Sequence, residues 1–144
     1  MDEQIVTHGP EETQALAAQC LARLPPGPVV LALHGELGSG KTCFVQGLAR
    51  ALGVTEAVNS PTFTLIHEYH GGTRRLVHID LYRIRNAEDA LMLGFEEYLD
   101  TESILAVEWA ERAAELLPPS TFHVYFQAMD QPEKRAIRMP GAHG

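Results

Sequence analysis

Hydrophobic positions recur at helical spacing between residues 10 and 24, where Leu16, Cys20, Leu21 and Leu24 share one side. Pro10 suits the first helical turn, and Glu11 and Glu12 suit the positive end of the helix dipole. Pro25-Pro26-Gly27-Pro28 ends that pattern. Residues 29–34 are then almost all aliphatic and read as a buried strand. A glycine-rich loop follows at residues 35–40, and residues 41–52 read as a second helix with Gly53 just past its end. A loop spans residues 54–62. Residues 63–80 read as a hairpin that turns at Gly71-Gly72. Asn86 is placed to cap a short helix through Leu93, stopped by Gly94. The run Ile104-Leu105-Ala106-Val107 inside residues 103–108 has the apolar character of a strand covered on both faces. Residues 110–117 read as helix. Residues 121–127 and 135–139 alternate as a second hairpin turning through Asp130-Gln131-Pro132, and residues 140–144 read as a frayed end.

Strands interleaved with helices, plus two hairpins, predict an α/β fold with a mixed sheet. The 144-residue length fits one domain, residues 1–144, and can bury a core without a metal or disulfide staple. Apolar residues at 45% and charged residues at 21% are ordinary globular usage. The longest aliphatic run, Val29 to Leu33, is far short of the ~20 residues needed to cross a bilayer. The acidic start Met1-Asp2-Glu3-Gln4 lacks the basic and apolar regions of a signal peptide. With only Cys20 and Cys43 present, a reducing cytoplasm is the expected location. A net charge of −8 argues against non-specific nucleic-acid binding by the whole surface.

Charge placement sharpens the picture, because Lys41 and Lys134 are the only lysines. Lys41 belongs to Gly35-Glu36-Leu37-Gly38-Ser39-Gly40-Lys41-Thr42, which fits the Walker A pattern between a strand and a helix. Such a loop turns its backbone N–H groups inward as an anion nest, and the following helix adds its dipole. Leu37, Gly38, Ser39, Gly40, Lys41, Thr42 and Cys43 are therefore the candidate nucleotide contacts, with Lys41 on the β- and γ-phosphates and the Thr42 hydroxyl on Mg²⁺. Asp80 ends the strand that contains Val77 and Ile79, and Glu108 ends the run from Ile104. Ligands of α/β sheets gather beyond the carboxyl ends of strands, so both acids can face the loop. One would serve the metal or its water shell and the other the attacking water, which gives Lys41, Asp80 and Glu108 as catalytic candidates. The predicted architecture is thus a three-layer P-loop NTPase-like fold with a mixed, mostly parallel sheet and added hairpins.

Four motifs together carry a resemblance to a known family. They are the Walker A loop, Ser60-Pro61-Thr62-Phe63-Thr64-Leu65, His78-Ile79-Asp80-Leu81-Tyr82-Arg83 and Val107-Glu108-Trp109. The sequence resembles the TsaE (YjeE) family of bacterial P-loop ATPases over nearly its whole length. That resemblance implies ATP/ADP and Mg²⁺ as cofactors and a role in placing threonylcarbamoyl on N6 of adenosine 37 of tRNA. It implies TsaB and TsaD as partners, tRNA reached only through their complex, and neither DNA nor membrane as a target. It assigns Thr42 and Glu108 as metal ligands and makes Asp80 essential for hydrolysis and a further metal candidate. Residues 60–65, with Thr62, take the place of a switch that senses the γ-phosphate. Glu12-Thr13 matches a segment beside the adenine, and Arg135 matches a nucleotide-contacting arginine. Cys43 departs from the family, where a second small hydroxyl residue is common.

Other readings compete for some of these residues. A small P-loop kinase acting on a metabolite or nucleoside also begins with Walker A, although 144 residues leave little room for a substrate domain and an arginine-rich lid. A GTP switch would carry an Asn/Thr-Lys-x-Asp motif, and none surrounds Lys134. Arg74, Arg75, Arg83 and Arg85 form the only basic stretch, suited either to tRNA or a partner, or to a solvated hairpin edge. Residues 86–115 hold nine acids and one base, Arg112, a face that a basic partner could engage. His67, His70 and His78 lie close in sequence but lack the ligand pattern of a zinc site.

Overall fold

A computed structural model describes residues 2–36, 38–55, 58, 66–72, 74–99 and 102–140. The chain runs β1 (Asp2–Thr7), α1 (Pro10–Ala22), β2 (Val29–His34), α2 (Lys41–Ala51), β3 (Ile66–His70), β4 (Arg75–Asp80), α3 (Ala87–Met92), α4 (Phe95–Leu99), β5 (Ser103–Glu108), a 3₁₀ segment (Ala110–Leu116), β6 (Phe122–Ala128) and β7 (Arg135–Pro140). Seven strands form one sheet in the order β1-β7-β6-β2-β5-β4-β3. The middle pairings β6–β2, β2–β5 and β5–β4 are parallel, and both flanks are antiparallel hairpins or strand additions. This is the mixed α/β sheet, parallel at its centre, that the pattern predicted.

Alternation along β2 explains the three layers. Val29, Leu31 and Leu33 point to a core shared with Leu16, Ala17 and Cys20 of α1 and with Phe44, Val45 and Leu48 of α2. Val30 and Ala32 point the other way, to a second core with Ala90 of α3, Phe95 of α4 and Ala110 and Ala113 of the 3₁₀ segment. β5 is buried at every position, as a strand covered on both faces must be. Gly47 allows α1 and α2 to close together, because a Cβ there would lie 2.6 Å from the Gln14 backbone.

The two predicted hairpins form, β3–β4 and β6–β7. The Asn86 side chain accepts from the Asp89 N–H at 3.0 Å and caps α3, and Gly94 takes the left-handed conformation (φ 84°) just after it. Four details differ from the sequence reading. α1 ends at Ala22, and Arg23 and Leu24 continue as tighter turns. Residues 110–116 wind as 3₁₀ with a kink at Ala113, not as a regular helix. Asp2–Thr7 forms an edge strand on β7, where Pro140 pairs with Asp2, so Pro140 belongs to the sheet. Phe95–Leu99 forms a short helix of its own. Among the described residues no helix is long and apolar enough to cross a membrane.

Candidate functional site

Sheet order brings the predicted chemistry together. β2 lies between β6 and β5, and β4 flanks β5. In the parallel register Leu33 of β2 faces Glu108 of β5, and Glu108 faces Asp80 of β4. The glycine-rich loop leaves β2 one residue after His34, so both acids stand at the same edge as the loop. Glycine is required where the loop closes. A Cβ on Gly35 would sit 2.6 Å from Ser39 Oγ and 2.7 Å from the Phe126 carbonyl. Gly40, at φ 110°, turns the chain into the first residue of α2. Gly38, Ser39, Gly40, Lys41 and Thr42 therefore occupy the strand–loop–helix turn that Walker A chemistry uses. Leu37 and residues 60–65, Thr62 included, lie outside the described residues.

Lys41 is buried at 5% exposure. Its Nζ donates to the Gly35 carbonyl at 2.5 Å, stands 3.7 Å from Glu108 Oε1, and lies 5.2 Å above the Trp109 ring. Glu108 is equally buried, and its other oxygen, Oε2, accepts from His78 Nε2 at 2.6 Å. The carboxylate is thus held between a lysine and a histidine, as a buried charge must be. His78 has no exposed surface, and its Nδ1 lacks a partner among the described residues. Sequence reading missed this histidine's role. The available signal was its position two residues before Asp80, on the same face of β4. Asp80 is less enclosed. Its Oδ1 accepts from the Tyr82 N–H at 2.9 Å. Burial raises its pKa above the ordinary carboxylate value, against the lowering effect of the Tyr82 hydrogen bond, and the neighbouring Glu108 raises it further.

Trp109 is the only non-glycine residue with positive φ among the described residues (φ 58°, ψ 39°). That left-handed turn sends its ring back under Lys41 and beside Tyr82, 5.0 Å away, while Arg112 covers both rings. On the other side of the loop, Gly9, Pro10, Thr13, Gly40, Cys43, Glu133 and Arg135 line a recess of about 140 Å³. Arg135 donates to the Gly38 carbonyl at 3.0 Å, so β7 is tied to the loop. Thr13 is buried and shares a 2.7 Å hydrogen bond with Thr7. Cys43 Sγ donates to the Pro10 carbonyl at 3.4 Å. Glu12 turns away from this recess to an adjoining one, where it accepts from the His8 backbone N–H at 3.1 Å.

Ser39 Oγ and Arg135 Nε are buried without partners among the described residues. Two unused donors beside a loop of glycines and a helix start are what a phosphate chain would satisfy. The oxygen donors Thr42, Asp80 and Glu108 also suit a hard cation such as Mg²⁺. Among the described residues no group of three or more His, Cys, Asp or Glu side chains is arranged to hold a metal unaided.

The other predicted clusters separate. Arg74 donates to the Gly27 carbonyl, Arg75 pairs with Glu68 at 2.7 Å, and Arg85 pairs with Asp89 at 3.1 Å. Three of the four arginines in the basic stretch therefore hold the protein's own chain. His67 contacts the Tyr69 hydroxyl at 3.1 Å, while His78 is buried on Glu108.

Fold and loop together define an α/β protein with a Walker A turn at the centre of a mixed sheet. Residues 7–137 match the family model described as threonylcarbamoyl adenosine biosynthesis protein TsaE. The chain belongs to the TsaE family. It is 41% identical over 128 residues to the tRNA threonylcarbamoyladenosine biosynthesis protein TsaE of Bacillus subtilis, covering 89% of this chain and 79% of that one. It is 44% identical over 139 residues to the protein of the same name from Aquifex aeolicus, covering 95% of each chain. A crystal structure of Bacillus subtilis YdiB superposes with a TM-score of 0.79 at 35% identity, covering 96% of this chain and 84% of that one.

Proposed function

We propose that this protein is the ATP-binding and ATP-hydrolysing component of tRNA threonylcarbamoyladenosine biosynthesis, supporting turnover of a TsaB–TsaD transferase in the cytoplasm. The observation that carries the reading is the convergence of Lys41, Glu108 and Asp80 on the glycine loop, within a chain of the TsaE family. Lys41 leaves Glu108 and the Gly35 carbonyl to meet the β- and γ-phosphates. That releases Glu108 Oε1 while His78 keeps Oε2 in place. Mg²⁺ would be held by Thr42 and Glu108 with Asp80 nearby, and would supply positive charge against the negative charge that develops during phosphoryl transfer. Asp80 orients the attacking water, and its raised pKa reflects a site partly closed to solvent. Arg135 and Thr13 border the recess that suits the base or ribose.

Among the described residues Arg135 is pinned beside the loop by the Pro132, Lys134 and Gly38 carbonyls, and Arg112 is held by two rings and the Ile84 carbonyl, so neither is free to follow the transferring phosphoryl group. Turnover by the protein alone is therefore slow, and a partner that supplies charge or orders the loop accelerates it. The test is steady-state phosphate release from ATP by the protein alone, then with TsaB and TsaD homologues. Fast turnover that ignores the partners overturns the reading. Transfer of phosphate to a metabolite would replace it with a kinase.

A further inference from the structure

The helical layer opposite α1 and α2 carries an anomaly. α3 and α4 each bury one residue, Ala90 and Phe95. Between those anchors stand three consecutive large aliphatic side chains, Leu91, Met92 and Leu93, which are 42%, 87% and 39% exposed. A free surface turn normally carries polar residues there, because each exposed aliphatic group forgoes its transfer from water. The exposure does not come from a loose end. Asn86 caps the start of α3, and the Leu93 and Gly94 N–H groups donate to the Ala90 and Leu91 carbonyls at 3.2 and 2.9 Å.

The surroundings of this turn are acidic. Glu88, Glu96 and Glu97 are exposed, and the Glu97 carboxylate lies over Gly94. The nearest base in sequence, Arg85, is already paired with Asp89. We propose that Leu91, Met92 and Leu93 form the anchor by which this protein docks on a protein partner that offers an apolar recess rimmed by Lys and Arg. Nucleic acid is disfavoured, because its phosphates would meet carboxylates. A second copy of this chain is disfavoured too, because it would set acid against acid at a net charge of −8 per chain. The location connects docking to the site. α3 packs on the 3₁₀ segment, which starts two residues after Glu108 and carries Arg112 over Trp109 and Tyr82. A partner held at this turn presses on the layer that shapes the Glu108–Trp109 corner.

This proposal rests on the functional reading above, whose partner is the TsaB–TsaD complex. The experiment measures binding of that purified complex to the full-length protein and to Met92→Glu and Met92→Leu, at low and high salt. Thermal unfolding and ATP affinity are followed in parallel. Met92→Glu should weaken complex binding tenfold or more, leaving ATP affinity and unfolding temperature unchanged, while Met92→Leu stays near the parent. Parent binding should also fall as salt rises. Equal affinity of Met92→Glu and the parent overturns the docking surface and leaves the functional reading intact. Failure of the parent protein to bind the complex overturns both.

Discussion

His78 Nε2 lies 2.6 Å from Glu108 Oε2, and both side chains are closed to solvent. The contact splits the work of one carboxylate. One oxygen is fixed by a neighbouring strand, and the other is left for the lysine or for a ligand. A free glutamate would lose rotamer entropy on binding a metal, and this one is already ordered. His78→Ala should therefore lower the rate of hydrolysis and raise the magnesium requirement more than it weakens nucleotide binding without metal. It should also destabilise the fold by about 2–4 kcal/mol through a cavity and a half-paired buried acid. His78→Gln, which retains an N–H donor, should recover part of the rate. Phosphate release against magnesium concentration, with thermal unfolding alongside, separates the two effects. An unchanged magnesium dependence in His78→Ala would make the contact purely structural.

Lys41→Ala should reduce ATP affinity roughly ten- to a hundredfold, the worth of a charge-assisted hydrogen bond of ~1.5–3 kcal/mol. Calorimetric titration gives the number directly. The same change strips Glu108 of its cation, so the ligand-free protein should also melt at a lower temperature. Unaltered ATP binding would remove Lys41 from the site.

Trp109 is the single tryptophan, and its ring carries the Lys41 ammonium 5.2 Å from its centre. When Lys41 moves to phosphate, the field at the indole changes. Titration with ATP should shift or quench the intrinsic emission, and the signal should vanish in Lys41→Ala. A full signal in that variant would mean that Trp109 senses something other than the lysine.

Asp80 has a folded-state pKa raised chiefly by burial. A carboxyl of this kind favours folding while protonated, below its unfolded pKa, and that contribution is lost as pH rises through the folded pKa. Asp80→Asn, which still offers an oxygen to the Tyr82 N–H, should therefore be slightly more stable than the parent at neutral pH. The difference should disappear toward pH 4. Hydrolysis should fall sharply in the same variant. Melting curves across pH check the sign, and a variant less stable than the parent at pH 7 would contradict it.

Burial pushes the Cys20 thiol up to about 11; it raises the Cys43 thiol as well, but Cys43 is only half-buried and borders the recess beside Gly40. Alkylation of the native protein near pH 8 should label Cys43 and spare Cys20. ATP should slow the labelling if the recess takes the base or ribose. Labelling of Cys43 at the same rate with and without saturating ATP would place the nucleotide elsewhere.

Local patterns in the sequence determined the strand–loop–helix turn, the two hairpins, the Asn86 cap and the apolar centre of β5. Each depends on residues within a few positions of one another, so propensity, capping and period were enough to read them. Asp80 and Glu108 were legible as candidates for a related reason, since strand ends in α/β sheets face the ligand edge. What the chain alone left open were relations across the sheet. That Glu108 sits between Lys41 and His78 follows from the order β2-β5-β4, and hydrophobic periodicity does not encode which strands become neighbours. The edge strand Asp2–Thr7 was hidden because its residues gain strand geometry only by pairing with β7. The 3₁₀ winding after Trp109 depends on a left-handed residue braced by rings from separate segments. Arg135 meets Gly38 only because the last hairpin folds back beside the loop. Sequence determines such contacts too, but through the packing of the whole sheet, where burial and long-range pairing outweigh local preference.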